Sequence, residues 1–215
     1  MIPESRISLT GGKVPVSRET RLRLDAYAKL LVQWQAKTNL VAASTLDDIW
    51  GRHMLDSLQV ADCLGDADHV VDIGSGAGFP GLILAIMLAE RGSGKVCLVE
   101  SVGKKCAFMS AVVRETGLRQ AGVDVQIING RIEQELPKLP RPQIVCARAL
   151  ASLKDLLRYT EPFLSQGSVG LFPKGADHVE ELTAAQADWA FDLETFESRL
   201  QAGSVILKIS GLRPR

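Results

Sequence analysis

The fold of this chain is decided by the stretch Val70-Val-Asp-Ile-Gly-Ser-Gly-Ala-Gly-Phe-Pro-Gly81. An apolar run ends there in four glycines within eight residues, and a long apolar segment of helical character follows. A strand that ends in a glycine-rich turn brings backbone N–H groups against a ligand, and the next helix offers its positive N-terminus. Pro80 suits the first position of that helix, because an N–H there would have no internal acceptor. The stretch therefore predicts a nucleotide-like ligand at a strand-to-helix turn.

Asp72 separates two classes of cofactor that use such a turn. The spacing Gly76-x-Gly78-x-x-Gly81 fits the dinucleotide fingerprint, but Asp72 closes the strand where its carboxylate would repel a doubly anionic pyrophosphate. S-adenosylmethionine carries a sulfonium and an ammonium with only one carboxylate, so an acid at this corner becomes favourable. We therefore expect S-adenosylmethionine as the cofactor, with Asp72, Gly74 and Gly76 among its binding residues.

Length and composition predict one main core. The chain has 215 residues, of which 46% are hydrophobic, and no apolar stretch approaches the length of a membrane span. The N-terminus lacks a basic-then-apolar signal pattern, so a cytoplasmic location is expected. The four cysteines form no C-x-x-C pair and are expected to be reduced core residues, with no metal site.

Charge is balanced overall but uneven along the chain. The 25 basic and 25 acidic residues argue against a broad surface for polyanions, although local basic patches remain compatible with them. The segment Ser17–Thr38 has five basic and two acidic residues. This segment is either a solvated helix face or a nucleic-acid contact, and charge alone does not separate the two.

The N-terminal third has helical periodicity. Apolar residues recur from Leu22 to Trp34 and again from Leu46 to Ala61, the second series following the acceptor residues Ser44 and Thr45. We expect residues 1–66 to form a helical cap packed on a methyltransferase domain at 67–215.

From Val70 onward, strand-like and helix-like segments alternate, which is typical of a parallel, doubly wound α/β sheet. The predicted strands are near 69–73, 95–100, 123–128, 142–147 and 168–173, and the predicted helices near 80–91, 103–117, 152–164 and 176–187. Trp189–Glu197 and Gly203–Ile209 lie too close together for a crossover helix, so they should pair antiparallel. This order matches the Rossmann-like, seven-stranded architecture of class I S-adenosylmethionine-dependent methyltransferases.

The ends of the later strands provide the candidate chemistry. Glu100 ends the second strand, where an acid can accept the ribose hydroxyls, and Ile132 and Glu133 follow the third strand, where the adenine is flanked. Arg148 ends the fourth strand, at the edge where the methyl acceptor must lie. Cys146 could be a nucleophile for pyrimidine methylation, but its apolar strand favours a buried structural thiol.

Other polar residues lie near the predicted site. Lys174, after the fifth strand, is either a solvated loop lysine or a phosphate ligand. Arg52 and Asp56 have the i, i+4 spacing of a surface ion pair. His53 lies beside them, and a metal role for it has little support.

Seven short motifs along the chain belong together, and they are Trp34-x-x-x-x-Asn39-Leu40, Arg52-His53-x-x-Asp56-Ser57-Leu58, Asp72-Ile-Gly-Ser-Gly-Ala-Gly-Phe-Pro-Gly81, Glu100-Ser-x-Gly-Lys-Lys105, Arg131-x-Glu133, Arg148-Ala-x-Ala-Ser152-Leu153 and Lys174-Gly175. In these motifs the chain resembles the RsmG (GidB) family of bacterial small-subunit ribosomal RNA guanine-N7 methyltransferases. The resemblance implies methylation of one guanine in the decoding-region hairpin of 16S RNA. It also implies cofactor contacts at Gly74, Phe79, Ile132, Glu133 and Arg148. The family often has an Arg or His pair before the last strand, whereas this chain has Gln201-Ala-Gly-Ser204, so no RNA contact is expected there.

This substrate needs little from the protein in proton transfer. Guanine N7 has an in-plane lone pair and no proton to lose, so displacement on the sulfonium methyl requires alignment rather than a general base. Our hypothesis is that Arg148 orders the cofactor end of the site while Lys174, Arg52 and the basic helix, with Arg18 and Arg21, engage RNA phosphates. The expected partner is the small ribosomal subunit, with no membrane and no metal, and the protein is expected to be a monomer.

Three other functions stay open on sequence alone. The first is a methyltransferase that acts on a small molecule or a protein. The second is an NAD-binding oxidoreductase, against which Asp72 argues. The third is a ribosome-assembly factor that keeps the fold without the catalysis.

Overall fold

The computed structural model describes residues 16–215. Seven strands form one sheet, in the order β3-β2-β1-β4-β5-β7-β6. The strands are β1 His69–Ile73, β2 Gly94–Glu100, β3 Val123–Asn129, β4 Ile144–Cys146, β5 Val169–Lys174, β6 Trp189–Glu197 and β7 Val205–Pro214. Strands β1 to β5 are parallel, β7 is antiparallel to β5, and β6 is antiparallel to β7. The expected α/β class, with its parallel sheet and closing antiparallel hairpin, is confirmed.

The helices of the described part are α1 Arg18–Gln35, α2 Asp56–Ala61, α3 Gly81–Arg91, α4 Gly103–Glu115, α5 Ile132–Glu135, α6 Leu153–Leu164 and α7 His178–Gln186. The four helices predicted between the strands, α3, α4, α6 and α7, begin and end within about two residues of the predicted limits. The short helix α5 is not among the predicted ones. A short 3₁₀ turn, Leu136–Lys138, follows α5. The last strand is longer than expected, because β7 continues to Pro214 opposite Trp189.

The core has two layers, one on each face of the sheet. Val70 packs in the layer formed by the cap together with helices α3 and α4, whereas its neighbour Val71 packs in the layer formed by α6 and β7. This alternation follows from the two-residue period of a strand, and burial of both faces explains the continuous apolar runs of the parallel strands. The four cysteines have free thiols, and Cys146 is fully buried, as expected of a structural thiol.

The described part of the cap begins with α1, which packs on α3 and α4. The rest of the cap differs from the expected regular helix after Ser44 and Thr45. A 3₁₀ helix, Ala43–Asp48, leads into a π-helical segment, Trp50–Leu55, and then into α2. Gly51 permits this, because a Cβ there would lie 2.3 Å from Oδ2 of Asp48. The wide π turn buries three successive residues, His53, Met54 and Leu55.

Candidate cofactor and substrate site

The glycine turn after β1 leaves a concave surface free of side chains. Gly74 has φ +64° and Gly76 has φ +58°, a left-handed conformation that favours glycine. A Cβ on Gly74 would lie 2.5 Å from Cδ1 of Leu150, whereas the atom nearest to a Cβ on Gly76 is 3.8 Å away. Gly74 is therefore required for the close approach of the loop after β4, and Gly76 borders open space.

Asp72 lies beneath the turn rather than on its ligand side. Its side chain is fully buried, and Oδ2 accepts a hydrogen bond from the Gly81 N–H at 3.0 Å, at the start of α3. Burial raises the pKa of Asp72 from 3.8 to about 7, although the Gly81 N–H opposes the shift. The expectation that this carboxylate faces the cofactor is corrected, because Asp72 acts as a buried cap of the helix. Pro80 also lies one residue earlier than expected, at the N-cap of α3.

Glu100 connects the end of β2 to the glycine turn. Its Oε2 accepts from the Gly76 N–H and its Oε1 from the Val102 N–H, each at 2.8 Å. The residue is 7% exposed and lies on the wall of the cavity above the turn. Each carboxylate oxygen keeps a second lone pair, so Glu100 can accept hydroxyl donors while it fixes the turn.

The carboxyl ends of β1 to β4 surround a cavity of about 590 Å³. This volume lies in the range of cofactor sites. The residues predicted to bind the cofactor that line this cavity are Gly74, Gly76, Phe79, Glu100, Ile132, Glu133 and Arg148. Asp72 is the predicted cofactor residue that does not reach the wall. The sheet therefore brings the predicted cofactor residues other than Asp72 together around one cavity.

The cap also contributes to this cavity, which sequence reasoning missed. Leu40, Val41 and Ala42 line it, and Gln35 holds them there. Oε1 of Gln35 accepts from the N–H groups of Leu40 and Val41 at 3.0 and 3.1 Å, and its Nε2 donates to the Val41 carbonyl at 2.9 Å. The only sequence signal for this wall is the Asn39-Leu40 part of the family resemblance.

Arg148 joins the end of β4 to the cap. Its Nη1 donates to Oδ2 of Asp56 at 3.0 Å and to the carbonyl of Arg52 at 3.2 Å. Its guanidinium also lies 5.1 Å from the centre of the Phe79 ring, within cation–π distance. The spacing allows a surface pair of Arg52 with Asp56, but in the structure Asp56 pairs with Arg148 across 92 residues of sequence.

His53 completes this cluster as a neutral imidazole. Nη2 of Arg148 lies 2.7 Å from Nδ1 of His53, and Oγ1 of Thr45 lies 2.8 Å from Nε2. Burial, together with the positive charges of Arg148 and Arg52, lowers the pKa of His53 from 6.5 to about 4. Because arginine only donates, Nδ1 is the acceptor and Nε2 carries the proton. The ring also stacks on Phe79, with 5.2 Å between the centroids.

A second cavity of about 380 Å³ lies beside the first. The two cavities share four residues, His53, Arg148, Ala149 and Ala151. Ala149 has φ +51°, the one positive φ among the non-glycine residues from 16 to 215. Strained backbone of this kind is concentrated at functional sites, since the surrounding structure must enforce it.

Lys174 and Arg52 both line the second cavity, but in different states. Arg52 is exposed and available to a substrate. Nζ of Lys174 donates to the Ala151 carbonyl at 2.9 Å and forms an ion pair with Glu181 at 2.7 Å, and the lysine side chain is only 9% exposed. A phosphate contact at Lys174 stays a prediction, and a phosphate there would have to compete with the Ala151 carbonyl and the Glu181 carboxylate for the ammonium.

Arg18 and Arg21 line neither cavity. The Ser17 N–H donates to Glu90 in the last turn of α3, whereas Tyr27 donates to the Ala77 carbonyl in the glycine turn. The start of α1 therefore lies at the far end of α3, about 15 Å from that turn at 1.5 Å per residue. A contact of Arg18 and Arg21 with RNA stays a prediction, and it would lie away from both cavities.

Solved structures with the same architecture define the class. The O-methyltransferase TomG from Streptomyces achromogenes, in complex with S-adenosylmethionine, aligns with a TM-score of 0.58 at 16% identity, over 98% of this chain and 99% of that one. The methyltransferase PaMTH1 from Podospora anserina, bound to S-adenosylhomocysteine, aligns with the same score and identity, over 95% and 99%. The fold is that of the class I S-adenosylmethionine-dependent methyltransferases.

Sequence comparison identifies the particular family. The family model of GidB, the rRNA small subunit methyltransferase G, matches residues 21–204. The ribosomal RNA small subunit methyltransferase G of Methylorubrum extorquens is 45% identical over 197 residues, and that of Brucella ovis is 46% identical over 198. Each alignment covers 92% of this chain and 91% of the relative. The chain belongs to the GidB family.

Within residues 16–215, no helix has the length and apolar character needed to cross a membrane. No group of three or more histidine, cysteine, aspartate or glutamate side chains there is arranged to hold a metal ion.

Proposed function

We propose that this protein transfers a methyl group from S-adenosylmethionine to N7 of a guanine in the 16S RNA of the small ribosomal subunit. The observation that carries the proposal is the pair of cavities that share His53, Arg148, Ala149 and Ala151. One cavity lies over the glycine turn and the other opens beside it, at the strand edge where an acceptor is expected. Membership of the GidB family supports ribosomal RNA as the acceptor.

The first cavity fits S-adenosylmethionine. The side-chain-free surface at Gly74 and Gly76 leaves room for the methionine part, and Glu100 is placed to accept the ribose hydroxyls. Ile132 and Glu133 lie on the wall where the adenine is expected. When bound, this cofactor supplies a methyl group activated by its sulfonium charge. Asp72 contributes indirectly, since it fixes the start of α3 beneath the turn.

The cluster around Arg148 supports a mechanism based on alignment. Guanine N7 presents a lone pair without a proton, so the protein must hold the base in line with the methyl group rather than remove a proton. His53 has both ring nitrogens hydrogen bonded, which suits a fixed wall rather than a proton acceptor. Arg148 is the candidate catalytic residue, because it borders both cavities with a side chain that the cap holds in place.

The RNA must present its base in an accessible form. N7 lies on the major-groove edge, which is deep and narrow in A-form RNA, so the target base should lie in a loop or a distorted helix. Arg52, exposed beside the second cavity, is the basic residue that we assign to the RNA backbone near the site. Arg18 and Arg21 lie at the start of α1, so they can contact only RNA that extends well beyond the two cavities.

We also propose that residues 1–66 act as a cap on a methyltransferase domain at 67–215, that the protein works as a monomer, and that it acts in the cytoplasm, where ribosomal subunits are assembled. Residues 1–15 lie outside the part of the chain that the structure describes. The described part of the cap is joined to the domain through Arg148, Asp56 and Tyr27.

A methylation assay tests the proposal. Small subunits from cells that lack the enzyme are incubated with the protein and S-adenosylmethionine, and their nucleosides are analysed. We expect new 7-methylguanosine, and its absence would overturn the proposal. Calorimetry tests the cofactor independently of the RNA. We expect binding of S-adenosylhomocysteine and none of NAD, whereas the reverse result would favour an oxidoreductase.

A further inference from the structure

We propose that Lys174 and Glu181 are a positioning pair that fixes the loop Arg148–Ser152 between the two cavities. The inference rests on the proposed function, because it gives that loop a role in the alignment of the acceptor base. The pair comes from two other elements, the end of β5 and the first turn of α7. It therefore ties three segments of the chain together at the strand edge.

The pair forms hydrogen bonds with two backbone groups, one in the loop and one in the residue that follows it. Nζ of Lys174 donates to the carbonyl of Ala151 at 2.9 Å, and Oε2 of Glu181 accepts from the N–H of Leu153 at 2.5 Å. The same Oε2 lies 2.7 Å from Nζ, so the two contacts are joined by one ion pair. Ser152, the N-cap of α6, lies between the two held residues. The pair thus fixes the point at which the loop becomes a helix.

The environment of the pair favours a fixed geometry over a role as a free cation. The Lys174 side chain is 9% exposed and that of Glu181 is 27% exposed. Salt screens such shielded charges weakly, and removal of one partner leaves the other poorly solvated. The ammonium of Lys174 already has a carbonyl and a carboxylate as acceptors, so a phosphate would have to compete with both.

The loop itself requires external support. Ala149 holds a left-handed conformation with φ +51° and is exposed on the border of both cavities, while Leu150 packs against Gly74. Such a conformation persists only where neighbouring contacts enforce it. Contacts of Arg148 with the cap hold one end of the loop, and the Lys174–Glu181 pair holds the other. Loss of either anchor should release the wall against which the acceptor base is aligned.

The test uses three variants of the full chain: Lys174→Met, Glu181→Gln and the double variant. Glu181→Gln keeps an oxygen for the Leu153 N–H and removes only the charge, which provides a variant that folds. We expect each single variant to lower kcat about tenfold, since misplacement of a positioning group slows alignment-dependent steps. The double variant should be no worse than the worse single one, because the two residues act as a unit. The Kd for S-adenosylhomocysteine should stay within about threefold, as Glu100 and the glycine turn are untouched.

The salt dependence of RNA binding separates this role from a phosphate contact. A positioning pair leaves the slope of log affinity against log salt unchanged in all variants. If Lys174 binds a phosphate, Lys174→Met lowers that slope by about one while Glu181→Gln does not, and this result would overturn the inference.

The control is the ion pair between Lys208 and Glu194, which has the same 2.7 Å length and lies on β7 and β6, outside both cavities. Lys208→Met should retain the kcat of the unmodified protein. If Lys174→Met and Glu181→Gln lower only the melting temperature and leave kcat and KM unchanged, the pair is merely structural and the inference fails. Failure of the proposed function is distinct, because the unmodified protein would then form no 7-methylguanosine.

Discussion

Nη2 of Arg148 donates a hydrogen bond to Nδ1 of His53 at 2.7 Å, between residues 95 positions apart in sequence. The contact joins the end of β4 to the π-helical turn of the cap, directly beside the Phe79 ring. Since the guanidinium keeps its charge, the bond exists only while Nδ1 is unprotonated. The cap and the sheet are therefore held together, at the border of the two cavities, by a neutral histidine.

The titration of His53 tests this arrangement. We expect a pKa of about 4 for His53 in the folded protein, below the ordinary 6.5, because burial and the charges of Arg148 and Arg52 all disfavour imidazolium. As the folded-state pKa is lowered, the unfolded chain binds the extra proton first. The contribution of His53 to stability should therefore fall as the pH drops below 6.5 and continue to fall towards about 4. NMR titration of the imidazole signals measures the value, with His53→Asn used for assignment. A pKa near 6.5 would contradict the geometry.

Arg148→Lys should lower kcat/KM about 10- to 100-fold, which corresponds to about 1.4 to 2.8 kcal/mol. Lysine keeps the charge, but its single ammonium cannot contact the Arg52 carbonyl, Asp56, His53 and the Phe79 face together. Steady-state kinetics on small subunits provides the measurement.

The control for this change is Arg141→Lys, at a residue that donates to the Gln166 carbonyl at 2.7 Å before β4 begins. This variant should be as active as the unmodified protein. Full activity of Arg148→Ala would remove Arg148 from the mechanism.

Glu100→Gln should weaken the binding of S-adenosylhomocysteine about tenfold and lower stability by about 1 to 2 kcal/mol. The carboxylate accepts from two N–H groups, of Gly76 and Val102, whereas a glutamine has one acceptor oxygen and turns an NH₂ group towards the other donor. Calorimetry gives the affinity and urea unfolding the stability. Glu115→Gln, on the exposed end of α4, is the matched control. Equal affinities of Glu100→Gln and the control would exclude Glu100 from the cofactor site.

Asp72 should make stability depend on pH in the opposite sense to an aspartate whose pKa is lowered by an ion pair. Its pKa is raised from 3.8 to about 7, so the folded protein holds a proton that the unfolded chain releases. The contribution of Asp72 to stability should fall by up to about 4 kcal/mol as the pH rises from about 4 to about 7, and it should level off above that. Asp72→Asn keeps an acceptor for the Gly81 N–H and should lose this dependence. Urea unfolding of both proteins at about pH 5 and about pH 8 measures the difference, and parallel curves would contradict it.

The sequence predicts the sheet well because local patterns determine it. Continuous β-branched runs such as the one around Val70 indicate strands buried on both faces, and the glycines after them end the strands. Since all the parallel strands end at one edge, residues as distant as Gly74, Glu100 and Arg148 could be assigned to one cavity.

The partners of the charged side chains could not be predicted in the same way. Spacing suggests a pair between Arg52 and Asp56, but the tertiary fold brings Arg148 to Asp56 instead. Lys174 has the position of a phosphate ligand in sequence, yet Glu181 reaches it from the next helix. The π turn around His53 is likewise invisible to a pattern with helical period. These features depend on contacts between elements, which no local spacing encodes.

Gly74→Ala should impair both stability and catalysis. The matched control is Gly65→Ala, at a glycine with a similar backbone conformation outside the site, and it should impair stability alone. At Gly74 the new Cβ would lie 2.5 Å from Leu150, in the loop that borders both cavities, and φ is +64°. At Gly65, φ is +57° and no atom lies within 4 Å of the Cβ position. The shared backbone strain should cost about 1 to 2 kcal/mol in each variant. Only Gly74→Ala should also lower kcat, by about tenfold or more, because it displaces the loop.

Unfolding curves and single-turnover methylation of small subunits measure the two effects. The double variant Gly74→Ala/Leu150→Ala should recover part of the lost kcat, and an equal loss in the single and double variants would show that the loop is not the route of the effect.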